Sequence, residues 1–124
     1  MASILIIDDQ DELVQALARI ARSQGHTVFT ASDGKTALRH FAGQPTDVVV
    51  TDIYMPEMDG IEFIMRLKEA FPETRVIAMS GGGIMRKENV LGAASMLGAE
   101  AVLEKPFDAA DFIGTLERVL SSSA

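Results

Sequence analysis

Short apolar runs alternate along the chain with segments whose apolar residues recur every three or four positions. Four runs are continuous, which is typical of strands covered on both faces of a sheet. They are Ile4 to Ile7, Val48 to Val50, Val76 to Met79 and Ala101 to Leu103, and Thr27 to Ala31 is a weaker candidate. The pattern therefore predicts five short strands.

The intervening segments have the apolar spacing of helices. Their apolar sets are Leu13/Leu17/Ile20, Ala37/Leu38/Phe41, Ile61/Ile64/Leu67/Phe71, Val90/Ala94/Leu97 and Phe112/Ile113/Leu116/Leu120. Residues that typically begin or end helices agree with this prediction. Ser32 or Asp33 could cap the second helix and Asp108 the last one, while Gly25, Gly98 and Pro72 lie where helices should end. Strands that alternate with helices over short connections imply right-handed crossovers. We expect a doubly wound α/β domain with a parallel sheet between two helical layers.

Composition narrows the class of protein. The 124 residues suffice for one domain, and the absence of cysteine excludes disulfides, thiolate metal sites and cysteine nucleophiles. The net charge of −7 comes without a Lys/Arg cluster, so direct nucleic-acid binding is not expected. The early apolar run is too short for a signal peptide or a membrane span, which favours a cytoplasmic protein.

Polar side chains follow four of the five predicted strands. Asp8 and Asp9 follow the first strand, Asp52 the third, Ser80 the fourth and Lys105 the fifth. Each one alone is typical of a cap, a turn or a solvated loop. Together they lie at the carboxyl edge of a parallel sheet, where ligands bind in this class of fold. Three carboxylates there would repel one another unless a cation such as Mg²⁺ shared them, and the lysine and serine could bind phosphoryl oxygens.

The chain resembles the response-regulator receiver domains of two-component signalling over essentially its whole length, residues 1–124. The matching stretches are ILIIDD at 4–9, DVVVTDIYMPEMDG at 47–60, Met79-Ser80 and Lys105-Pro106-Phe107. The resemblance implies a flavodoxin-like three-layer fold with strand order 2-1-3-4-5 and five helices. Ser121 to Ala124 would be a frayed tail or the start of a linker.

The resemblance also implies a role for each residue at the sheet edge. Asp52 would accept a phosphoryl group from a sensor histidine kinase, a histidine phosphotransfer protein or a small phosphodonor. Asp8, Asp9, Asp52 and the backbone carbonyl of Tyr54 would hold Mg²⁺. The reaction would be the domain's own phosphorylation and slow dephosphorylation, so the protein would not be a classical enzyme.

Further residues would bind the phosphate or shape the site. By resemblance, Ser80, Gly81 and Lys105 would contact the phosphoryl group, and movement of Ser80 would report it. Lys105 would be followed by a cis peptide bond to Pro106. Pro56 and Gly60 would shape the loop after the acceptor.

The resemblance implies protein partners rather than nucleic acid or membrane. A downstream protein would bind the fourth helix, fifth strand and fifth helix, while the first helix would meet the kinase. The chain would act as a monomer or a weak dimer. Because no separate output domain is visible in the sequence, we do not expect it to bind DNA itself.

Two features depart from the receiver pattern. Relatives often carry an aromatic residue three positions before the lysine, where this chain has Val102. We therefore expect the Ser80 loop and the fourth helix, rather than a rotating ring, to carry the conformational change. The loop that starts at Gly81-Gly82-Gly83 is also longer than usual. It is either a loop whose conformation answers phosphorylation, with Ile84 and Met85 as partner contacts, or a plain surface insertion.

Three alternatives fit less well. A haloacid-dehalogenase-like phosphatase would need a second acid at Tyr54, and a serine hydrolase at Ser80 would need a histidine after the serine. The two histidines, His26 and His40, both precede it. The third alternative is a binding module that is no longer phosphorylated, but every acceptor-site residue is present in this sequence.

Overall fold

The computed structural model describes residues 2–53, 58, 60–81 and 98–121. The strands are β1 (Ser3–Ile7), β2 (Thr27–Ala31), β3 (Val48–Asp52), β4 (Arg75–Gly81) and β5 (Ala101–Lys105). The helices in these ranges are α1 (Asp11–Ser23), α2 (Gly34–Gly43), α3 (Gly60–Ala70) and α4 (Ala109–Ser121). The remaining predicted helix, with Val90, Ala94 and Leu97, lies outside the described residues.

The strands form one parallel sheet in the order β2-β1-β3-β4-β5. This order confirms the doubly wound fold. Between β1 and β3, Ile7 pairs with Thr51, and between β3 and β4, Asp52 pairs with Met79. Between β4 and the edge strand β5, Gly81 pairs with Lys105. The register therefore brings the carboxyl ends of β1, β3, β4 and β5 to the same edge of the sheet.

Both faces of the sheet are covered, which explains the continuous apolar runs. On β1, Ile4 and Ile6 point to one core cluster, while Leu5 and Ile7 point to another. The first cluster includes residues of α1 and α4, and the second includes residues of α2 and α3. Because successive strand side chains alternate between faces, a strand with a helical layer on each side must be apolar at every position.

The helix ends follow local chemistry. Asp33 caps α2 and accepts a 2.8 Å hydrogen bond from the backbone N–H of Thr36. Asp108 and Asp111 form a reciprocal capping pair at the start of α4, with N–O distances of 2.8 and 3.2 Å. Gly25 and Gly98 have φ values of 91° and 100°, so both predicted stop glycines adopt the left-handed conformation that glycine tolerates.

The C-terminal boundary differs slightly from the expected tail. Ser121 is the last residue of α4 and so belongs to the helix, while residues 122–124 lie outside the described residues. Within the described part of the chain, no helix has the length and apolar character needed to cross a membrane.

Candidate functional site: an acidic cluster at the carboxyl edge of the sheet

The first two carboxylates follow β1 directly. The backbone N–H of Asp8 donates to the carbonyl of Ala31 at 3.3 Å, which extends the ladder between β1 and β2 by one residue. The Asp8 side chain accepts a 2.9 Å hydrogen bond from the backbone N–H of Gln10, so the chain turns immediately. Asp8 is buried, with 1% of its surface exposed, and the next residue, Asp9, is exposed. One carboxylate is thus fixed inside the site and the other faces solvent.

Asp52 is the last residue of β3 and is 5% exposed. The start of α3 packs directly against its backbone, since the N–H of Gly60 donates to the Ile53 carbonyl at 2.7 Å. A Cβ at position 60 would lie only 2.1 Å from the carbonyl oxygen of Asp52 and 2.5 Å from the Cα of Ile53. Glycine is therefore required by the close approach of two backbone segments, and this contact holds the end of β3 against α3.

Lys105 reaches the acidic cluster from an edge strand. It is the last residue of β5, and the strands β4 and β3 separate β5 from β1. Its Nζ atom lies 2.7 Å from an oxygen of Asp8 and 3.5 Å from an oxygen of Asp52. The ammonium group thus bridges the two buried carboxylates. The peptide bond between Lys105 and Pro106 is cis.

Ser80 and Gly81 complete the described part of the edge. Ser80 is buried, and it lies one residue beyond Met79, the register partner of Asp52. Gly81 is the last residue of β4 and pairs with Lys105. The register therefore places Ser80 and Gly81 between β3, which carries Asp52, and β5, which carries Lys105.

The carboxylate oxygens of Asp8, Asp9 and Asp52 fit a small hard cation. One oxygen from each lies within 4.8 Å of the others. Opposite ligands of Mg²⁺ are about 4.2 Å apart, given metal–oxygen distances near 2.1 Å, so a small contraction would suffice. Ionised, the three carboxylates leave two negative charges that the single ammonium of Lys105 does not balance. The donor set and the charge both suit a divalent ion bound by oxygen.

Several predicted positions lie outside the described residues. These are Tyr54 and Pro56, which follow Asp52, and the predicted loop and helix between residues 82 and 97. Val102, which replaces the aromatic residue of many relatives, is half-buried and packs against the core cluster shared with α2 and α3. Its side chain therefore lies against the core.

The structure does not support a serine hydrolase. His26 accepts a 3.2 Å hydrogen bond from the backbone N–H of Ala2, which precedes β1 at the opposite edge of the sheet. His40 lies in α2 and packs on Phe29, with the ring centres 4.9 Å apart. Neither histidine is near the end of β4 where Ser80 lies, so no catalytic pair exists among the described residues.

Sequence reasoning missed two contacts that shape the site. It expected Lys105 to face a phosphoryl oxygen but did not foresee its pairing with Asp8. It assigned Gly60 a role through the backbone angles that glycine permits, whereas the structure shows that the absence of a side chain is what matters. The only sequence signal for either was the position of these residues near strand and helix ends.

The comparisons with known proteins agree with this geometry. A family model described as a response regulator receiver domain matches residues 4–117. The DNA-binding transcriptional regulator NtrC of Azospirillum brasilense is 36% identical over 98% of this chain, which spans only 25% of that relative.

Solved structures show the same likeness. The receiver domain of NtrX from Brucella abortus has a TM-score of 0.89 and 32% identity, covering 97% of this chain and 99% of that one. The chemotaxis response regulator CheY4 of Vibrio cholerae has a TM-score of 0.87 and 28% identity, covering 96% of this chain and 98% of that one.

Proposed function

Because this chain belongs to the response regulator receiver domains of two-component systems, we propose that it accepts a phosphoryl group on Asp52 in a Mg²⁺-dependent reaction. The observation that carries the proposal is the convergence of Asp8, Asp9, Asp52 and Lys105 at one sheet edge. The donor would be a phosphohistidine on a sensor kinase or phosphotransfer protein. A small donor such as acetyl phosphate would also serve.

The transfer itself needs little covalent chemistry from the protein. An oxygen of Asp52 forms the new P–O bond while the P–N bond to the donor histidine, or the P–O bond to acetate, breaks. Such transfers depend mainly on positioning and on neutralising charge around the phosphoryl oxygens. The close packing of Gly60 against Asp52 supports the positioning, because it fixes the backbone that carries the acceptor.

Lys105 supplies the positive charge that would pair with the phosphoryl group. Its ammonium lies closer to Asp8 than to Asp52, at 2.7 against 3.5 Å. On phosphorylation it would turn from these carboxylates toward a phosphoryl oxygen, a short movement for a side chain already at the site. Ser80 would donate a hydrogen bond to the same group, and the backbone of Gly81 would line it.

The metal site would comprise Asp8, Asp9, Asp52 and the backbone carbonyl of Tyr54. Bound there, Mg²⁺ would neutralise charge on the carboxylates and on the phosphoryl oxygens. Burial of Asp8 and the hydrogen bond from Gln10 support the assignment, since they hold one ligand ready in place.

The signal would be a conformational change read by a protein partner. Phosphorylation adds close to two negative charges beside existing carboxylates, and attraction of Ser80 and Lys105 toward them would shift the ends of β4 and β5. Since Val102 already packs in the core, we place the response in the segment after Gly81 rather than in a rotating aromatic ring.

The test is the intact mass of the protein after incubation with acetyl phosphate, with and without Mg²⁺. The wild type should gain one phosphoryl group only with Mg²⁺, and Asp52→Asn should gain none while keeping its circular dichroism spectrum. Asp11→Asn, which removes an exposed carboxylate of α1 near the site, is the matched control and should be phosphorylated normally. A mass gain in Asp52→Asn would place the acceptor elsewhere. If neither acetyl phosphate nor a purified histidine kinase labels the wild type, a phosphorylation-independent binding module becomes the better description.

A further inference from the structure

A second surface feature lies away from the acidic edge, on the helical layer formed by α2 and α3. It is a groove of about 380 Å³ lined by Lys35, Leu38, Arg39, Met58 and Arg66, which we call the α2–α3 groove. Leu38 and Met58 supply its apolar floor, and both pack onto the core beneath α2 and α3. Three cations surround that floor. The groove thus combines an apolar base with a positive rim.

The charge of this surface is opposite to that of the chain. Helix α2 carries Lys35 and Arg39 and no carboxylate, whereas α1 and α3 each have two cations and two carboxylates. Helix α4 has two carboxylates and one cation. Among the described helices, α2 alone has a net positive charge, in a chain whose net charge is −7.

Among the described residues, Asp33 and Glu62 offset only part of the three positive charges of this rim. Asp33 interacts with Arg39, and both of its oxygens also accept hydrogen bonds from Thr36, at 2.8 and 3.0 Å. Glu62 pairs with Arg66 at 2.7 Å along α3, but the two side chains are 39% and 55% exposed. An exposed pair of this kind contributes only about 0.3–0.5 kcal/mol, so Arg66 can exchange partners at little cost.

We propose that the α2–α3 groove binds an acidic, amphipathic segment of a partner protein. An apolar side chain of that segment would pack on Leu38 and Met58, while its carboxylates would pair with Lys35, Arg39 and Arg66. Amphipathic segments bind grooves in this way, with apolar anchors for affinity and charges for orientation. A nucleic acid fits less well, because phosphate recognition typically uses about 6–10 cationic contacts and gains nothing from an apolar floor.

The groove also borders the segment that follows Asp52. Met58 packs against the first residue of α2, since a Cβ on Gly34 would lie 3.1 Å from its Sδ atom. Two residues later, Gly60 contacts the backbone of Asp52. A bound segment would therefore touch the connection between the acidic site and α3. The binding does not require phosphorylation, so its test is independent of the test of the function proposed above.

The test is a titration of the unphosphorylated protein with a fluorescein-labelled synthetic peptide that carries only Glu and Leu residues at helical spacing. Fluorescence anisotropy should detect binding to the wild type. The double variant Lys35→Glu/Arg39→Glu should bind about tenfold more weakly or worse, because two attractions become repulsions. The control Arg19→Glu/Arg118→Glu makes the same change in net charge at exposed positions of α1 and α4 and should bind almost as the wild type does.

Two further measurements locate the bound peptide and test whether apolar contacts with Leu38 and Met58 contribute to binding. NMR shift changes on isotope-labelled protein should concentrate at Leu38, Met58 and their neighbours, and a peptide with Ser in place of Leu should bind more weakly. Equal weakening by both double variants, or no binding by the wild type, would overturn the proposal. Tighter binding of a single-stranded oligonucleotide than of the peptide would overturn it as well, in favour of a polyanion site.

Discussion

Replacement of Gly60 by alanine tests the closest backbone contact in the site. The added methyl group would lie 2.1 Å from the carbonyl oxygen of Asp52 and 2.5 Å from the Cα of Ile53. Non-bonded carbon atoms approach favourably only to about 3.5–4.0 Å. Relief therefore requires a movement of roughly 1 Å by the end of β3 or the start of α3.

Two opposing effects set the magnitude. Overpacking of this kind costs typically about 1–3 kcal/mol, and backbone cannot rotate away as a side chain can. Alanine gains at most about 1 kcal/mol over glycine in a helix. We expect Gly60→Ala to lower the free energy of unfolding by about 1–2 kcal/mol, which corresponds to a few degrees in Tm.

Gly114 provides a matched control within the same chain. It lies inside α4, and an added Cβ would meet nothing within 4 Å. The same substitution there should raise the free energy of unfolding by up to about 1 kcal/mol through helix propensity alone. The two variants should therefore differ in the sign of their effect.

Urea denaturation followed by circular dichroism measures the stability of both variants. Initial rates of phosphorylation by acetyl phosphate measure the effect on the site, and a 1 Å displacement of Asp52 should slow Gly60→Ala by about tenfold to a hundredfold. If Gly60→Ala is as stable as the wild type, the close packing does not constrain position 60. If it is destabilised but reacts at the wild-type rate, the contact does not position the acceptor.

Other substitutions test the charges and caps. Lys105→Met should lower the free energy of unfolding by about 1–3 kcal/mol near pH 7, because the buried carboxylate of Asp8 loses its ammonium partner. Urea denaturation curves measure this loss, and equal stability of the variant and the wild type would contradict the reasoning. Added Mg²⁺ should raise Tm in scanning fluorimetry for the wild type and for Asp11→Asn but much less for Asp9→Asn; equal shifts in the two variants would place the cation outside the acidic cluster. Asp33→Ala should lower the free energy of unfolding by about 1 kcal/mol, because it removes the cap of α2. Hydrogen bonds from Thr36 hold the pKa of Asp33 below its ordinary value of 3.8, so this stabilisation is present above that pH and is lost as the pH falls through the depressed pKa. Urea midpoints of the wild type and Asp33→Ala should accordingly converge in acid, and a constant gap would contradict the assignment.

The strands could be predicted because their environment imposes a simple pattern. A strand covered on both faces must be apolar throughout, and the run from Ile4 to Ile7 satisfies that with no tertiary information. The polar residues that follow each run mark the carboxyl end of the strand to within two residues. Parallel topology then places Asp8, Asp52 and Lys105 at one edge, whatever the distances between them.

The order of the strands could not be predicted from the apolar pattern. The apolar pattern does not distinguish the central strands from one another, so the order 2-1-3-4-5 came from the resemblance to receiver domains and was confirmed by the pairing. The two edge strands differ from the central ones in that some of their residues are exposed, including Thr27 and Thr30 of β2 and Glu104 of β5. Helix ends were predictable because a cap such as Asp33 acts within three residues.

The sequence by itself thus determined the elements that the structure describes, their class and the set of side chains at the carboxyl edge, since each depends on residues close together in the chain. Tertiary structure decided which of those side chains touch. Lys105 meets Asp8 across 97 residues of sequence and two intervening strands. Leu38 and Met58 share a groove only because α2 and α3 pack side by side on the same face of the sheet. Such contacts depend on how whole elements pack against each other, and no local pattern of polar and apolar residues specifies them.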